Sequence, residues 1–154
     1  MRDALDQIDK KILNELVGNA RIAMSELARR VGLSKTPVSQ RVKHLEETGI
    51  ITSYRAMLSP IAMGLSHVTF VEVRLSDTRE SSLRKFNEAV REIKEVEECY
   101  MIAGGFDYLL KVRSSTIEDY RRTMGEQLST LPFVAATSSY VAMEAVVENA
   151  PVKI

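Results

Sequence analysis

Residues 24–43, MSELARRVGLSKTPVSQRVK, constrain the chain more than any other stretch. They read as a short helix, a glycine, and a second helix with one polar, basic face. Two short helices around a tight turn form a helix-turn-helix, which lowers its second helix into the DNA major groove. Leu27, Ala28 and Val31 share one side of a helix over residues 26–31. Gly32 stands where that helix needs a residue that accepts positive φ. Leu33 plugs the turn. Ser34 is an N-cap whose hydroxyl can accept from free N–H groups of the next turn. Pro37 falls in that first turn, where a missing N–H costs little. Val38, Val42 and Leu45 recur at helical spacing and face inward. The other face shows Ser34, Lys35, Thr36, Ser39, Gln40 and Lys43, with Arg41 at its flank. Hydroxyls and amides can reach base edges, and cations can reach phosphates. An amphipathic hairpin with a merely solvated face has the same spacing.

Net charge is zero over 154 residues, which argues against a strongly basic nucleic-acid binder. The distribution is more telling. Residues 1–60 hold ten Lys/Arg against seven Asp/Glu, and residues 61–154 hold eleven against fourteen. Positive charge sits where the motif sits. The excess is small, so one copy should bind DNA weakly and useful affinity needs several copies on one DNA.

With 45% hydrophobic and 27% charged residues the chain reads as globular. No apolar run approaches a membrane span, and MRDALDQIDKK lacks a signal-peptide core, so no membrane partner and a cytoplasmic location are expected. One cysteine, Cys99, leaves no internal disulfide framework. Cys99, His44 and His67 are far apart in sequence, so neither metal nor other cofactor is expected.

The period of the hydrophobic pattern changes along the chain. Asp6 can cap a helix to about Asn19, with Ile8, Ile12, Leu13, Leu16 and Val17 inward. Thr48-Gly49 stops the recognition helix. Residues 50–58 are β-rich and read as a wing or hinge strand, and Ser59-Pro60 and Gly64 mark a linker. Residues 67–75 alternate as a strand, and Asp77-Thr78 can cap a helix with Leu83, Phe86, Ala89, Val90 and Ile93 inward. Residues 96–103 and 106–113 form two strands around Gly104-Gly105. Thr116 with Asp119 resembles a capping box, and Ile117, Tyr120, Met124, Leu128 and Leu131 face inward behind it. Residues 134–145 form a last strand. The order is βαββαβ, the ferredoxin-like split unit, whose two helices cover one face of the sheet. Alternating Val, Tyr and Leu on the other face favour cover by another subunit. The expected fold class is α+β: a winged helix-turn-helix domain at 1–50, a wing strand and linker at 51–65, and a βαββαβ domain at 66–154.

This combination resembles the Lrp/AsnC, or feast/famine, family of transcriptional regulators, and within it the leucine-responsive branch. LDQIDKKILNEL, SELARRVGLSKTPVSQRVKHLEETGII, EECYMIAGGFDYLLKVR and LPFVAATSSYVAMEAV carry the resemblance. Ala23 departs from the Ser or Thr that usually caps the helix before SELARR; an absent cap costs on the order of 1 kcal/mol. Lys35 departs from a proline found in relatives and adds a phosphate contact.

The resemblance implies a regulator of double-stranded DNA, built of homodimers gathered into octamers or similar rings. It implies a free amino acid, leucine or proline, bound between subunits near the Gly-Asp turn. The local chemistry fits. Gly104 and Gly105 let backbone N–H groups approach a carboxylate, and Asp107 can accept from an ammonium. Tyr140 can wall the pocket, with Ser138 and Ser139 nearby. A hairpin turn accounts for the glycines equally well, a turn cap can account for Asp107, and a core or interface aromatic for Tyr140. Two other functions fit this architecture: an effector-independent architectural DNA binder, and an enzyme decarboxylating siroheme-type tetrapyrroles. The latter needs basic and histidine side chains in the second domain, where the only histidine is His67.

Overall fold

A computed structural model describes residues 5–152. The ends of the two expected domains, residues 1–4 and 153–154, lie outside it. The chain divides into two compact units, one reaching Met57 and including the segment from Val147, the other Leu58–Val146.

The first unit holds α1 (Gln7–Gly18), α2 (Met24–Val31) and α3 (Lys35–Glu47). Asp6 caps α1, and the cap is reciprocal: Asp9 N–H donates to the Asp6 carboxylate at 2.7 Å while the Asp9 carboxylate accepts from Asp6 N–H. Ile12, Leu13, Leu27, Ala28, Val31, Val38, Val42 and Leu45 form the core. Val17, expected inward, is 48% exposed in the last turn of α1. Ala23 begins α2 with no side-chain cap, and Gly32 ends it at φ 77°.

Ser34 occupies the N-cap of α3, yet its hydroxyl makes no capping bond. The cause is Pro37. It is the third helical residue and has no N–H, which removes one of the two donors a capping oxygen can take and leaves only that of Thr36.

Glu26 receives both Arg29 and Arg30, and Arg30 also reaches Glu15 on α1 at 2.8 Å. Bonds from Arg29 and then Arg30 hold the Glu26 carboxyl at about 2. A depressed carboxylate stabilises the fold above its ordinary value of 4.5, and that contribution is lost as pH falls through about 2. Helical circular dichroism of a Glu26→Gln variant should therefore lose part of the acid sensitivity shown by the wild type across that window.

Residues 50–58, expected as a wing strand, form no strand. A strand needs a hydrogen-bonded neighbour, and none pairs with this segment among the described residues. Tyr54 donates to Glu46 at 2.8 Å, while Met57, Leu58 and Ile61 lie exposed.

The second unit is a four-stranded antiparallel sheet, β1 (His67–Leu75), β2 (Val96–Met101), β3 (Tyr108–Ser114) and β4 (Val134–Val141), in the order β2-β3-β1-β4. α4 (Glu80–Arg91) and α5 (Ile117–Glu126) cover one face. This is the split βαββαβ arrangement. β2 and β4 stop at Met101 and Val141, short of the expected ends at 103 and 145.

Val71, Val73, Phe86, Val90, Tyr108, Leu110, Val112, Tyr120 and Leu128 fill the space between sheet and helices. Ile117, expected inward, is 41% exposed at the start of α5. Thr116 does cap α5, accepting from Asp119 N–H at 3.1 Å. The N-cap of α4 is Arg79 rather than Asp77-Thr78, and it makes no side-chain cap bond. Asp77 instead accepts from Arg79 N–H and from the Ser82 hydroxyl, bracing the turn before the helix.

Candidate functional site

α3 presents Lys35, Thr36, Ser39, Gln40 and Lys43 along one side, at positions that advance by one, three, one and three residues. Together they line a shallow depression of about 410 Å³. Lys35, Thr36, Gln40 and Lys43 are exposed and Ser39 is half-buried. Lys43 has only a loose, exposed pair with Glu47 at 3.6 Å, which a phosphate can displace. Ser34 stands at the head of the row with its hydroxyl uncommitted to the cap.

Arg41 does not join the row. Its guanidinium donates to Asp6 at 2.6 Å and to Asp9 at 2.8 Å, both at the start of α1. The Asp9 N–H and then Arg41 hold the Asp6 carboxyl below its ordinary range. Arg41 thereby ties the recognition helix to the N-terminus of α1, where two carboxylates also suit the helix dipole. The sequence carried a partial signal, two aspartates three apart at a helix start. Their partner 32 to 35 residues away becomes visible only in the fold.

In the second unit the β2–β3 connection spans residues 102–107. Asp107 is pinned at its base: its N–H donates to Val73 O at 2.9 Å and its carbonyl accepts from Ile102 N–H at 2.8 Å. One carboxylate oxygen accepts from Leu75 N–H at 2.7 Å. Part of the Asp107 charge thus clasps the hairpin to the end of β1, a use that the sequence admitted as a turn cap.

Gly104 and Gly105 are exposed, and neither adopts positive φ. A Cβ on Gly105 would meet nothing within 4 Å, and one on Gly104 would touch only the Ile102 side chain at 3.4 Å. The chain's own backbone therefore does not demand glycine here. What glycine provides is access from outside.

Tyr140 lies elsewhere. It pairs across β4 and β1 with Phe70, whereas Asp107 bonds at Val73 and Leu75. Three to five residues of strand separate these levels, roughly 10–16 Å. Within one chain the structure brings Gly104, Gly105 and Asp107 together and leaves Tyr140 apart. Ser138 shares the uncovered sheet face with Tyr140, while Ser139 bonds the Tyr120 hydroxyl on the helix side.

Sequence reasoning did not anticipate an ionic cluster on the uncovered face. Lys111 and Arg113 of β3 are only 8% exposed, and Lys111 pairs with Glu97 at 3.2 Å and Glu98 at 3.7 Å, while Arg113 bonds Glu97. Burial pushes the Glu97 carboxyl up, but Arg113 and Lys111 outweigh it and hold it low. A cavity of about 450 Å³ opens between α4 and β2, lined by Asn87, Arg91, Cys99 and Tyr108 among others. Burial pushes the Cys99 thiol up against the pull of Arg91, which disfavours the thiolate. Among the described residues no cluster of side chains has the makings of a metal site, and no helix is long and apolar enough to cross a membrane.

A helix-turn-helix with an open polar face, joined to a split βαββαβ unit with an accessible Gly-Gly turn, is matched by known proteins. Residues 68–152 match the Lrp/AsnC ligand binding domain, and residues 5–52 match a winged helix-turn-helix DNA-binding family. The chain belongs to the Lrp/AsnC family. It is 70% identical to a proline dehydrogenase transcriptional activator of Rhodobacter capsulatus, over 98% of this chain and 99% of that one. It is 44% identical to the leucine-responsive regulatory protein of Escherichia coli K12, over 94% of this chain and 88% of that one. Among solved structures, a transcriptional regulator of Neisseria meningitidis in complex with L-methionine superposes with a TM-score of 0.88. That protein is 30% identical, with 94% of each chain covered. Like its Lrp/AsnC relatives, the chain is a DNA-binding transcriptional regulator.

Proposed function

We propose that this regulator reads double-stranded operators through Ser34, Lys35, Thr36, Ser39, Gln40 and Lys43, and that a free amino acid modulates the binding. The row on α3 carries this reading: five side chains with donors, acceptors and cations share one unobstructed surface. Arg41 sets the angle of α3 through Asp6 and Asp9.

Gln40 can pair bidentately with an adenine edge. Gln40→Ala should cost about 1–3 kcal/mol at one base position and relax preference there. Lys43→Ala should weaken binding to all sequences alike and reduce the salt slope by about one. Gel shifts on operator and scrambled DNA at several salt concentrations distinguish the two effects. An unchanged affinity and slope for Lys43→Ala would mean that α3 docks some other way.

The amino acid is placed at Gly104, Gly105 and Asp107, its carboxylate on backbone N–H groups and its ammonium on the free side of Asp107. Because Tyr140 is distant within one chain, its place at this site is supplied by a neighbouring subunit. Met101, Ile102 and Leu109 around the turn favour an aliphatic side chain or proline. The likeness to the Rhodobacter activator supports a proline dehydrogenase gene as target, which makes proline the first effector to test. The methionine complex of the Neisseria neighbour supports a small apolar amino acid in general.

Homodimers form through the uncovered sheet face and the exposed 52–65 segment, and gather into octamers or similar rings in the cytoplasm. Effector and assembly are then coupled, by about 1–3 kcal/mol in systems of this kind, which tunes operator affinity rather than switching it. A thermal-shift screen against the common amino acids tests the effector. Operator binding that ignores all of them would favour an architectural DNA binder.

A further inference from the structure

Charges on the uncovered face of the sheet fall into two groups. Glu97, Glu98, Lys111 and Arg113 neutralise one another within the chain. Glu72 and Arg74 do not. They stand two residues apart on β1, and neither side chain has a partner among the described residues. Glu72 is half-buried and Arg74 exposed.

On the β4 side their neighbours are small, Ser138 opposite Glu72 and Ala136 opposite Arg74, while Leu109 of β3 flanks Glu72 on the other side. With Thr137 these residues border a depression of about 240 Å³. Around it the same face shows Phe70 at 38% exposure and Tyr140 at 53%. The surface is thus aromatic, with one unsatisfied anion, one unsatisfied cation, and room beside them.

We infer that Glu72 and Arg74 are the self-recognition pair of this face, each meeting its opposite on a second copy of the chain. A twofold interface must be self-complementary: if residue i meets residue j, then j meets i. Unlike charges two positions apart on a central strand satisfy that rule when the axis passes near Val73. Glu72 then pairs with Arg74 of the partner subunit, and Arg74 with the partner's Glu72. The small residues of β4 leave space for the guanidinium. A partner lacking this order of charges would leave two charges unpaired in a closing interface, so the pair selects copies of this chain over related chains.

This inference rests on the proposal that the sheet face joins two copies, and the test separates the two. Full-length Glu72→Arg and Arg74→Glu chains, carrying tags of different mass, are first checked for native circular dichroism. They are then mixed, allowed to exchange subunits, and counted as dimers by native mass spectrometry. Reciprocal pairing sets like against like in each single-variant homodimer and unlike against unlike in the mixed one. Mixed dimers should exceed about nine-tenths of the total, against about half for randomly exchanging subunits. The double variant Glu72→Arg/Arg74→Glu should return to self-association of wild-type strength. Random mixing, or a double variant no better than the singles, would overturn the pairing while leaving the shared face intact. A wild type that stays monomeric throughout would remove the face itself. Normal dimers of Glu72→Arg that have lost only the binding heat of proline would mark the depression as a ligand site, and would also overturn the pairing.

Discussion

An Asp107→Asn chain should bind operator DNA as the wild type does while losing most of its response to a free amino acid. The side-chain oxygen of asparagine can still accept from Leu75 N–H, so the clasp between hairpin and β1 survives. The negative charge proposed to face the ammonium does not. Hydrogen bonds to charged groups contribute about 1.5–3 kcal/mol, so affinity for the amino acid should fall roughly ten- to a hundredfold. Asp107→Ala removes both roles and should also loosen the turn. Calorimetry with proline and leucine on all three proteins, beside gel shifts with and without amino acid, reads the outcome. If Asp107→Asn titrates like the wild type, Asp107 serves the fold alone.

Phe86→Ala should be the most damaging single truncation in the second unit. Phe86 is fully buried on α4, its ring tilted against Tyr108 with centroids 4.4 Å apart. Removing a buried phenyl ring typically costs about 3–5 kcal/mol, a large share of the 5–15 kcal/mol that holds a domain together. The core of α1, α2 and α3 shares no residue with the core that Phe86 fills. Urea unfolding followed by circular dichroism should show one transition moved to much lower denaturant, with helical signal from the first unit persisting beyond it. Tyr108 adjoins Asp107, so the same truncation should weaken effector binding where the protein remains folded.

Local physics made most of the fold legible. Asp6 and Thr116 cap helices because their side chains reach N–H groups three residues on. Gly32 ends α2 because positive φ suits glycine. The inward stripes of β1 and α4 follow from alternation and from helical period. What escaped was contributed by partners distant in sequence, or by partners not in the chain. Residues 50–58 have the composition of a strand, and no strand among the described residues pairs with them. Ser34 has the composition of a cap, and Pro37 withholds one donor. Arg41 looked like one more cation on a basic helix until Asp6 and Asp9 were brought to it. In the candidate site, GGFD marked the turn at once. No pattern could reveal that Leu75 takes one oxygen of Asp107, or that Tyr140 stands several residues away along the sheet.

The clasp of Arg41 to Asp6 and Asp9 divides the recognition helix into a frame and a lettering surface. The frame is intramolecular: Val38, Val42 and Leu45 in the core, and the guanidinium held by α1. The proposed lettering is Lys35, Thr36, Ser39, Gln40 and Lys43, none of which belongs to the core that seats the helix. Substitutions at the four exposed positions, Lys35, Thr36, Gln40 and Lys43, carry little folding cost, because surface changes away from caps and buried pairs seldom exceed about 0.5 kcal/mol. A gene duplicate can therefore drift to a new operator one letter at a time without passing through an unstable intermediate. A library randomised at the five positions, with Arg41, Asp6 and Asp9 fixed, should yield folded proteins with altered DNA preference at high frequency.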